Sequence, residues 1–418
     1  MEKNIAIIGA GISGISLAKM LTSKANVVLF EQKTVGGLIK CDRVEDILYH
    51  RVGGHVFNSK NDKVLDWFWS FFDKEADFIK AKRFAQVYFE GNYVGYPIEN
   101  HIYQLNKNLF KQVVEDLVNL PKQSTITNFE DFLLGRFGRT LYEVYFKPYN
   151  TKIWNTDLSK VPLDWLEGKL PMPKVSDIFV SNILRNEEAE MVHSTFFYPK
   201  VGGSQFIIDK LATGLSIVEN FTVESIHTAD GKTFVNGEGP FDEVIYTGDV
   251  RMLPDFMKDD AGLVPYKSDL KKLQSNGTTN ILCTCDSTDL SWLYIPEDKY
   301  KAHRIIYTGN FSATNNGSAA SANRSSCTVE FSNYADIEAA KAELKNLPGN
   351  LEFVSYNYEP NSYIIQDEQT RDLVKNVKDV LKSSNVYLLG RFAEWEYYNM
   401  DKCIEAAMTL VTEIRAND

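Results

Sequence analysis

A chain of 418 residues is too long for one compact core and predicts two or three domains. At 44% hydrophobic and 24% charged residues it has the make-up of a soluble globular protein. A net charge of −11 and no basic stripe exclude a nucleic-acid surface, while local arginines and lysines can still hold an anionic ligand. The five cysteines include no CxxC and the six histidines no HExxH, so reduced thiols in a cytoplasmic protein are expected and a metal site is not. No apolar run reaches membrane-spanning length, so no membrane insertion is expected, and the apolar start reads as a first strand rather than a signal peptide.

That strand, Asn4-Ile5-Ala6-Ile7-Ile8, runs into Gly9-Ala10-Gly11-Ile12-Ser13-Gly14, then an amphipathic segment over 15–21 and a second strand, Asn26-Val27-Val28-Leu29-Phe30. This is the strand, glycine turn, helix and strand of a dinucleotide-binding unit. Gly9 makes the tight turn, Gly11 lets the backbone approach a pyrophosphate, and Gly14 lets the helix pack on the strand. The pyrophosphate would meet the open N–H groups of the helix start, beside Ser13. Glu31 ends the second strand where a ribose acceptor is required. Beyond it, Gln32 and the pair Gly36-Gly37, followed by Leu38, resemble FAD-binding flavoproteins rather than NAD dehydrogenases.

Residues 42–49 read as a polar connection. Arg51-Val52-Gly53-Gly54-His55 forms a second glycine turn, where Gly54 can approach a planar ring and His55 can bond near it. Helical spacing over 63–78 predicts a core helix. Residues 84–97 predict a hairpin, and 100–149 a helical unit broken at Pro121 and again over 125–128. The next motif is Tyr149-Asn150-Thr151-Lys152-Ile153-Trp154. Residues 206–215 form a helix after Gly202-Gly203, and 241–248 a strand. Several β-like runs between 282 and 358 predict an antiparallel sheet, interrupted by a mobile loop over 315–324. The chain closes with strand Val386-Tyr387-Leu388-Leu389-Gly390, then Arg391 to Met400 and a helix over 402–414. Helix N–H groups there could face a flavin carbonyl, with Arg391 complementing phosphates.

Taken together, Gly9 to Gly14, Gly53-Gly54-His55, Tyr149 to Trp154, Tyr246-Thr247-Gly248 and Gly390-Arg391-Phe392-Ala393-Glu394-Trp395-Glu396-Tyr397-Tyr398-Asn399-Met400 resemble the UDP-galactopyranose mutases. The resemblance implies an α/β fold with three parts. A discontinuous Rossmann-type FAD domain would comprise 1–80, 200–250 and 375–418. A helical domain would span 100–165, and an antiparallel β-sheet domain 81–99, 166–199 and 265–374. It implies an isomerase, active with FAD reduced, that interconverts pyranose and furanose forms of a nucleotide-diphosphate sugar through a flavin N5–sugar adduct. It further implies an external reductant, NAD(P)H or a reductase, a role in cell-surface polysaccharide synthesis, and compatibility with a homo-oligomer.

By position in the motifs, His55, Arg304 and Lys169 would be the catalytic set. Tyr149, Trp154, Tyr363, Tyr397 and Asn399 would hold the substrate. Gly9, Gly11, Ser13, Gly14, Glu31, Gln32, Gly37, Leu38, Gly54, Gly390, Arg391, Asn399 and Met400 would hold the cofactor. Two departures bear on the substrate. Lys169 stands where the family has an arginine and cannot form its bidentate fork, and Asn399 replaces an aspartate. The alternative is an FAD oxidase or dehydrogenase of the amine-oxidase and protoporphyrinogen-oxidase group, which shares the N-terminal motif but not the aromatic C-terminal one.

Overall fold

The structure, a computed structural model, describes residues 2–121, 126–163, 173–185 and 194–416. Its first layer grows from the N-terminal unit: β1 (Lys3–Ile8), α1 (Ile12–Leu21) and β2 (Ala25–Phe30). Apolar residues on both faces of β1 suit a strand covered on both sides. A five-stranded all-parallel sheet forms in the order Val386–Leu388, Glu243–Tyr246, β1, β2, Ser216–Val218. The chain moves outward from β1 in one direction and returns to pair on its other side. This reversal creates a crevice at the carboxyl ends of β1 and Glu243–Tyr246, where open parallel sheets bind ligands. Ile15, Leu17 and Ala18 of α1 share a core with Ile404, Ala407 and Val411 of the last helix, Met400–Ala416.

A seven-stranded sheet stands over the crevice, in the order Glu352–Ile364, Ser275–Cys285, Ser325–Ser332, Ala302–Ile306, Trp292–Tyr294, Ala85–Phe89, Asn92–Gly95. Its pairs are antiparallel except Trp292–Tyr294 against Ala85–Phe89. The helical unit packs on one end of it. Lys107–Val118 and Phe129–Leu141 are capped by Asn106 and Asn128, whose side chains accept from first-turn N–H groups. A π-helical turn, Tyr142–Phe146, leads into the helix Lys147–Trp154. Together they bury Leu109, Val113, Phe132, Leu141 and Tyr145 in a cluster shared with Trp292 and Phe311.

Several local expectations change in the folded chain. Residues 42–49 form a hairpin, Cys41–Val44 with Ile47–His50, in which Ile47, Leu48 and Tyr49 are buried. The helix expected over 63–78 ends at Trp69, and Phe78 opens a strand, Phe78–Lys82, paired with Thr195–Pro199. Helical spacing persisted there because aromatic residues pack equally well from a turn. The helix expected over 206–215 spans Gly203–Ala212, and the strand expected over 241–248 is Glu243–Tyr246. The stretch 315–324 is not an open loop. Asn315 is fully buried, its amide donates to the Tyr198 hydroxyl at 3.0 Å and the Thr308 carbonyl at 2.8 Å, and Ser318–Ser321 is a short helix.

Candidate active site

A cavity of about 1470 Å³ runs from the carboxyl ends of the parallel strands to the underside of the large sheet. Its first end is the glycine turn. Gly9 has φ +103°, and its N–H donates to the Phe30 carbonyl at 2.8 Å. Gly14 is fixed by contact: a Cβ there would lie 2.1 Å from the Gly9 carbonyl oxygen. Glu31 accepts from the Ala10 N–H at 2.8 Å and the Lys33 N–H at 3.0 Å, which holds its carboxylate at the cavity wall. Gln32, Gly37, Leu38 and Ser13 line the same stretch, and the Gly36 N–H donates to the Ala10 carbonyl at 3.0 Å.

Midway, Gly54 and His55 meet the C-terminal segment. Burial, and then the charge of Arg391, push His55 down to about 4, so the imidazole is neutral near pH 7. Its Nε2 is buried and has no hydrogen-bond partner among the described residues. Arg391 lies 4.0 Å above the Tyr397 ring, and its Nε and Nη2 are buried without hydrogen-bond partners among the described residues. Gly390 precedes it with φ +99°, its N–H donating to Glu394 at 2.8 Å. Asn399 and Met400 line the wall, and the Asn399 carbonyl accepts from the Cys403 N–H at 3.0 Å. Unanswered donors beside a glycine turn are what a bound dinucleotide would satisfy, so these residues fit such a cofactor.

The far end is aromatic and charged. Arg304 and Tyr363 line it, with Tyr397 stacked parallel to Tyr363 at 6.0 Å. Trp154 stands edge-on to both rings, at 5.6 Å and 6.0 Å, one layer behind the wall. Tyr149 is also one layer back, stacked on Tyr145 at 5.8 Å and edge-on to Tyr294 at 5.6 Å. Lys169 lies outside the described residues. The remaining motif residues named from sequence converge on this cavity or on the turn that shapes it.

Sequence reasoning missed two groups. Glu330 binds Arg304, His303 and Tyr363 from within a buried strand. A lone acid inside Cys327-Thr328-Val329-Glu330-Phe331 was the available signal. Arg83 packs over the rings of Tyr96 at 4.8 Å and Trp292 at 5.3 Å and donates to the Tyr294 hydroxyl. Nothing local in sequence distinguishes it from a surface arginine.

Residues 7–74 match the NAD(P)-binding Rossmann-like domain family. The UDP-galactopyranose mutase of Mycoplasma genitalium is 24% identical over 96% of this chain and 92% of its own length. The dTDP-fucopyranose mutase of Escherichia coli is 23% identical over 97% and 96%. Among solved structures, a reduced UDP-galactopyranose mutase superposes with a TM-score of 0.88 at 22% identity, over 100% of this chain and 95% of that one. A putative protoporphyrinogen oxidase from Exiguobacterium sp. 255-15 shares the fold at 0.76 and 14% identity, over the full length of both.

Fold, glycine turn and cavity define a dinucleotide-binding enzyme of the Rossmann class. Over nearly its full length the chain is similar to sugar-nucleotide mutases, UDP-galactopyranose mutase and dTDP-fucopyranose mutase among them. The resemblance read from its motifs holds, and these relatives imply a flavin cofactor. No helix among the described residues is long and apolar enough to cross a membrane.

Proposed function

We propose that the protein is an FAD-dependent mutase interconverting the pyranose and furanose forms of a nucleotide-diphosphate sugar, UDP-galactose or a related one. The observation that carries this reading is the single cavity that joins a dinucleotide turn at one end to Arg304 and stacked tyrosines at the other. Its volume exceeds the few hundred to about 1,000 Å³ of ordinary ligand pockets, as a site for two large ligands requires. Bound and reduced, FAD would supply a nucleophilic N5 toward the anomeric carbon.

The chain's own residues bind and orient. Glu31, Ser13 and Gly37 would hold the dinucleotide, and Arg391 would answer its anionic or carbonyl oxygens with Nε and Nη2. Neutral His55 would bond at the ring without adding charge. Arg304 would meet the diphosphate, Tyr397 would donate beside it, and Trp154 and Tyr149 would stiffen the aromatic wall from behind. Lys169 is assigned to the same diphosphate on sequence alone. Lys169 and Asn399, standing where the family has an arginine and an aspartate, extend the candidate substrates from UDP-galactose to a deoxy, amino or heptose sugar on a different nucleotide.

The domain division stated above, a cytoplasmic location, an external NAD(P)H or reductase, a homo-oligomer and a role in surface-polysaccharide synthesis belong to this proposal. The test is anaerobic incubation of dithionite-reduced protein with a panel of nucleotide-sugar pyranoses and furanoses, followed by chromatography. Ring interconversion by the reduced form alone supports the mutase. Failure to bind or convert any of them, with oxygen consumption on an amine or other reduced substrate, would establish the oxidase reading that the second structural relative favours.

A further inference from the structure

Glu330 is 1% exposed, yet it is an anion. Burial works to raise its carboxyl, but the Arg304 charge and the His303 hydrogen bond outweigh it and hold the group well below the usual carboxylate range. Oε1 accepts from His303 Nε2 at 2.9 Å, from Arg304 Nη2 at 2.8 Å and from the Tyr363 hydroxyl at 2.8 Å. Oε2 accepts a second contact from the same Nη2 at 2.8 Å.

A buried carboxylate is costly and cancels part of the positive charge with which Arg304 would attract an anion. The direction of the bonds explains its presence. Every bond Arg304 makes to the cluster uses Nη2, including one to the Tyr363 oxygen at 2.8 Å. Nε is buried and has no bonding partner among the described residues. No bond in the cluster uses Nη1, which leaves it as the terminal nitrogen for a ligand. Tyr363 is committed as well, since its proton goes to Glu330. Gly53 lets the pair lie against the His55 turn: a Cβ there would stand 3.0 Å from Glu330 Oε2 and 3.5 Å from Arg304 Nη2.

We propose that Glu330 is a positioning residue for anion recognition, gripping Arg304 by Nη2 and Tyr363 by its hydroxyl so that Nη1 faces the cavity. His303, 0% exposed, braces it from behind. The inference rests on the proposed function in taking Arg304 as the group that meets a nucleoside diphosphate.

The test uses FAD-loaded protein and three variants: Glu330→Gln, Arg304→Met, and the two combined. The double variant removes both buried charges and so leaves neither one stranded. Binding of UDP and of dTDP is measured by calorimetry, with the flavin spectrum as the control for folding. Glu330→Gln is expected to weaken binding roughly tenfold or more, the scale of one charge-assisted hydrogen bond. The double variant should bind no more weakly than Arg304→Met, because the anion-binding edge that Glu330 positions belongs to Arg304. Wild-type affinity in Glu330→Gln, or additive losses in the double variant, would overturn the proposal.

A second readout needs no nucleotide. Phenylglyoxal must bridge two guanidinium nitrogens, and Glu330 occupies one, so Arg304 should be modified faster in Glu330→Gln than in the wild type while Arg391 is unchanged. Equal rates at Arg304 would overturn the inference. If the wild type binds neither UDP nor dTDP, the sugar-nucleotide reading fails, and this chemical readout still decides the role of Glu330.

Discussion

The second and third glycines of the N-terminal turn, Gly11 and Gly14, should fail in opposite ways when each is replaced by alanine. At Gly14 the added Cβ would lie 2.1 Å from the Gly9 carbonyl oxygen and 3.2 Å from Ile7 Cγ2. Cβ contacts under 3.0 Å do not occur, so helix and strand must separate by about 0.9 Å, the difference between 3.0 and 2.1. The closest partner is the Gly9 backbone, so that clash is not relieved by a side chain swinging aside. Gly14 is buried in the helix that packs on Met400–Ala416, and overpacking of this kind costs about 1–3 kcal/mol, with the upper end expected here. Gly11 differs. Its φ is −80°, which any residue adopts, and a Cβ would meet only Gly37 Cα at 3.7 Å, an ordinary contact. Gly11→Ala should therefore fold as well as the wild type, while the methyl occupies space beside the helix N-terminus needed by a pyrophosphate.

The assay is thermal unfolding of flavin-free protein together with FAD titration. Gly14→Ala should lose several degrees in Tm. Gly11→Ala should keep the wild-type Tm without flavin and lose FAD affinity by about tenfold or more, the equivalent of about 1.4 kcal/mol. A Gly11→Ala protein that binds FAD normally, or a Gly14→Ala protein of unchanged Tm, would refute the reasoning.

Three further outcomes follow from buried groups. Arg391→Met removes two buried donors that nothing among the described residues satisfies, and at about 1.5–3 kcal/mol each FAD affinity should fall at least a hundredfold; retention of flavin through dialysis would contradict this. His50 is 1% exposed, and burial lowers it to about 3, so the folded state takes up its proton later than the unfolded chain. Its contribution is complete above about pH 6.5 and is lost as pH falls toward 3, reaching roughly 2–3 kcal/mol at pH 4.5. Urea unfolding at pH 7.5 and 4.5 should show that loss, and His50→Gln should reduce the difference between the two. All five cysteines are free and buried, so Ellman's reagent should titrate no thiol in the native protein and five in denaturant.

The dinucleotide turn was legible because its requirements are local. A strand, three glycines, a helix and an acid must follow one another at fixed spacing whatever surrounds them. The C-terminal run from Gly390 to Met400 was legible for the same reason, as a strand end, a turn and a helix start packed into a few residues. The hairpin Cys41–Val44 and Ile47–His50 was not, because its polar residues face outward and its apolar ones take their meaning from a core assembled elsewhere. The strand Phe78–Lys82 was hidden because its partner, Thr195–Pro199, lies more than a hundred residues away.

By itself, then, the sequence determined the strand, glycine turn and helix at one end of the cavity and the C-terminal turn that lines its middle, since backbone geometry and glycine placement are written residue by residue. Tertiary structure alone decided what faces the far end of the cavity. Trp292–Tyr294 runs parallel to Ala85–Phe89 across some two hundred residues of chain, which brings Arg83 to the aromatic wall. The pairing of Ala302–Ile306 with Ser325–Ser332 sets Arg304 opposite Glu330. A charge becomes a binding group or a cancelled one only by its neighbours, and sheet register chooses those neighbours.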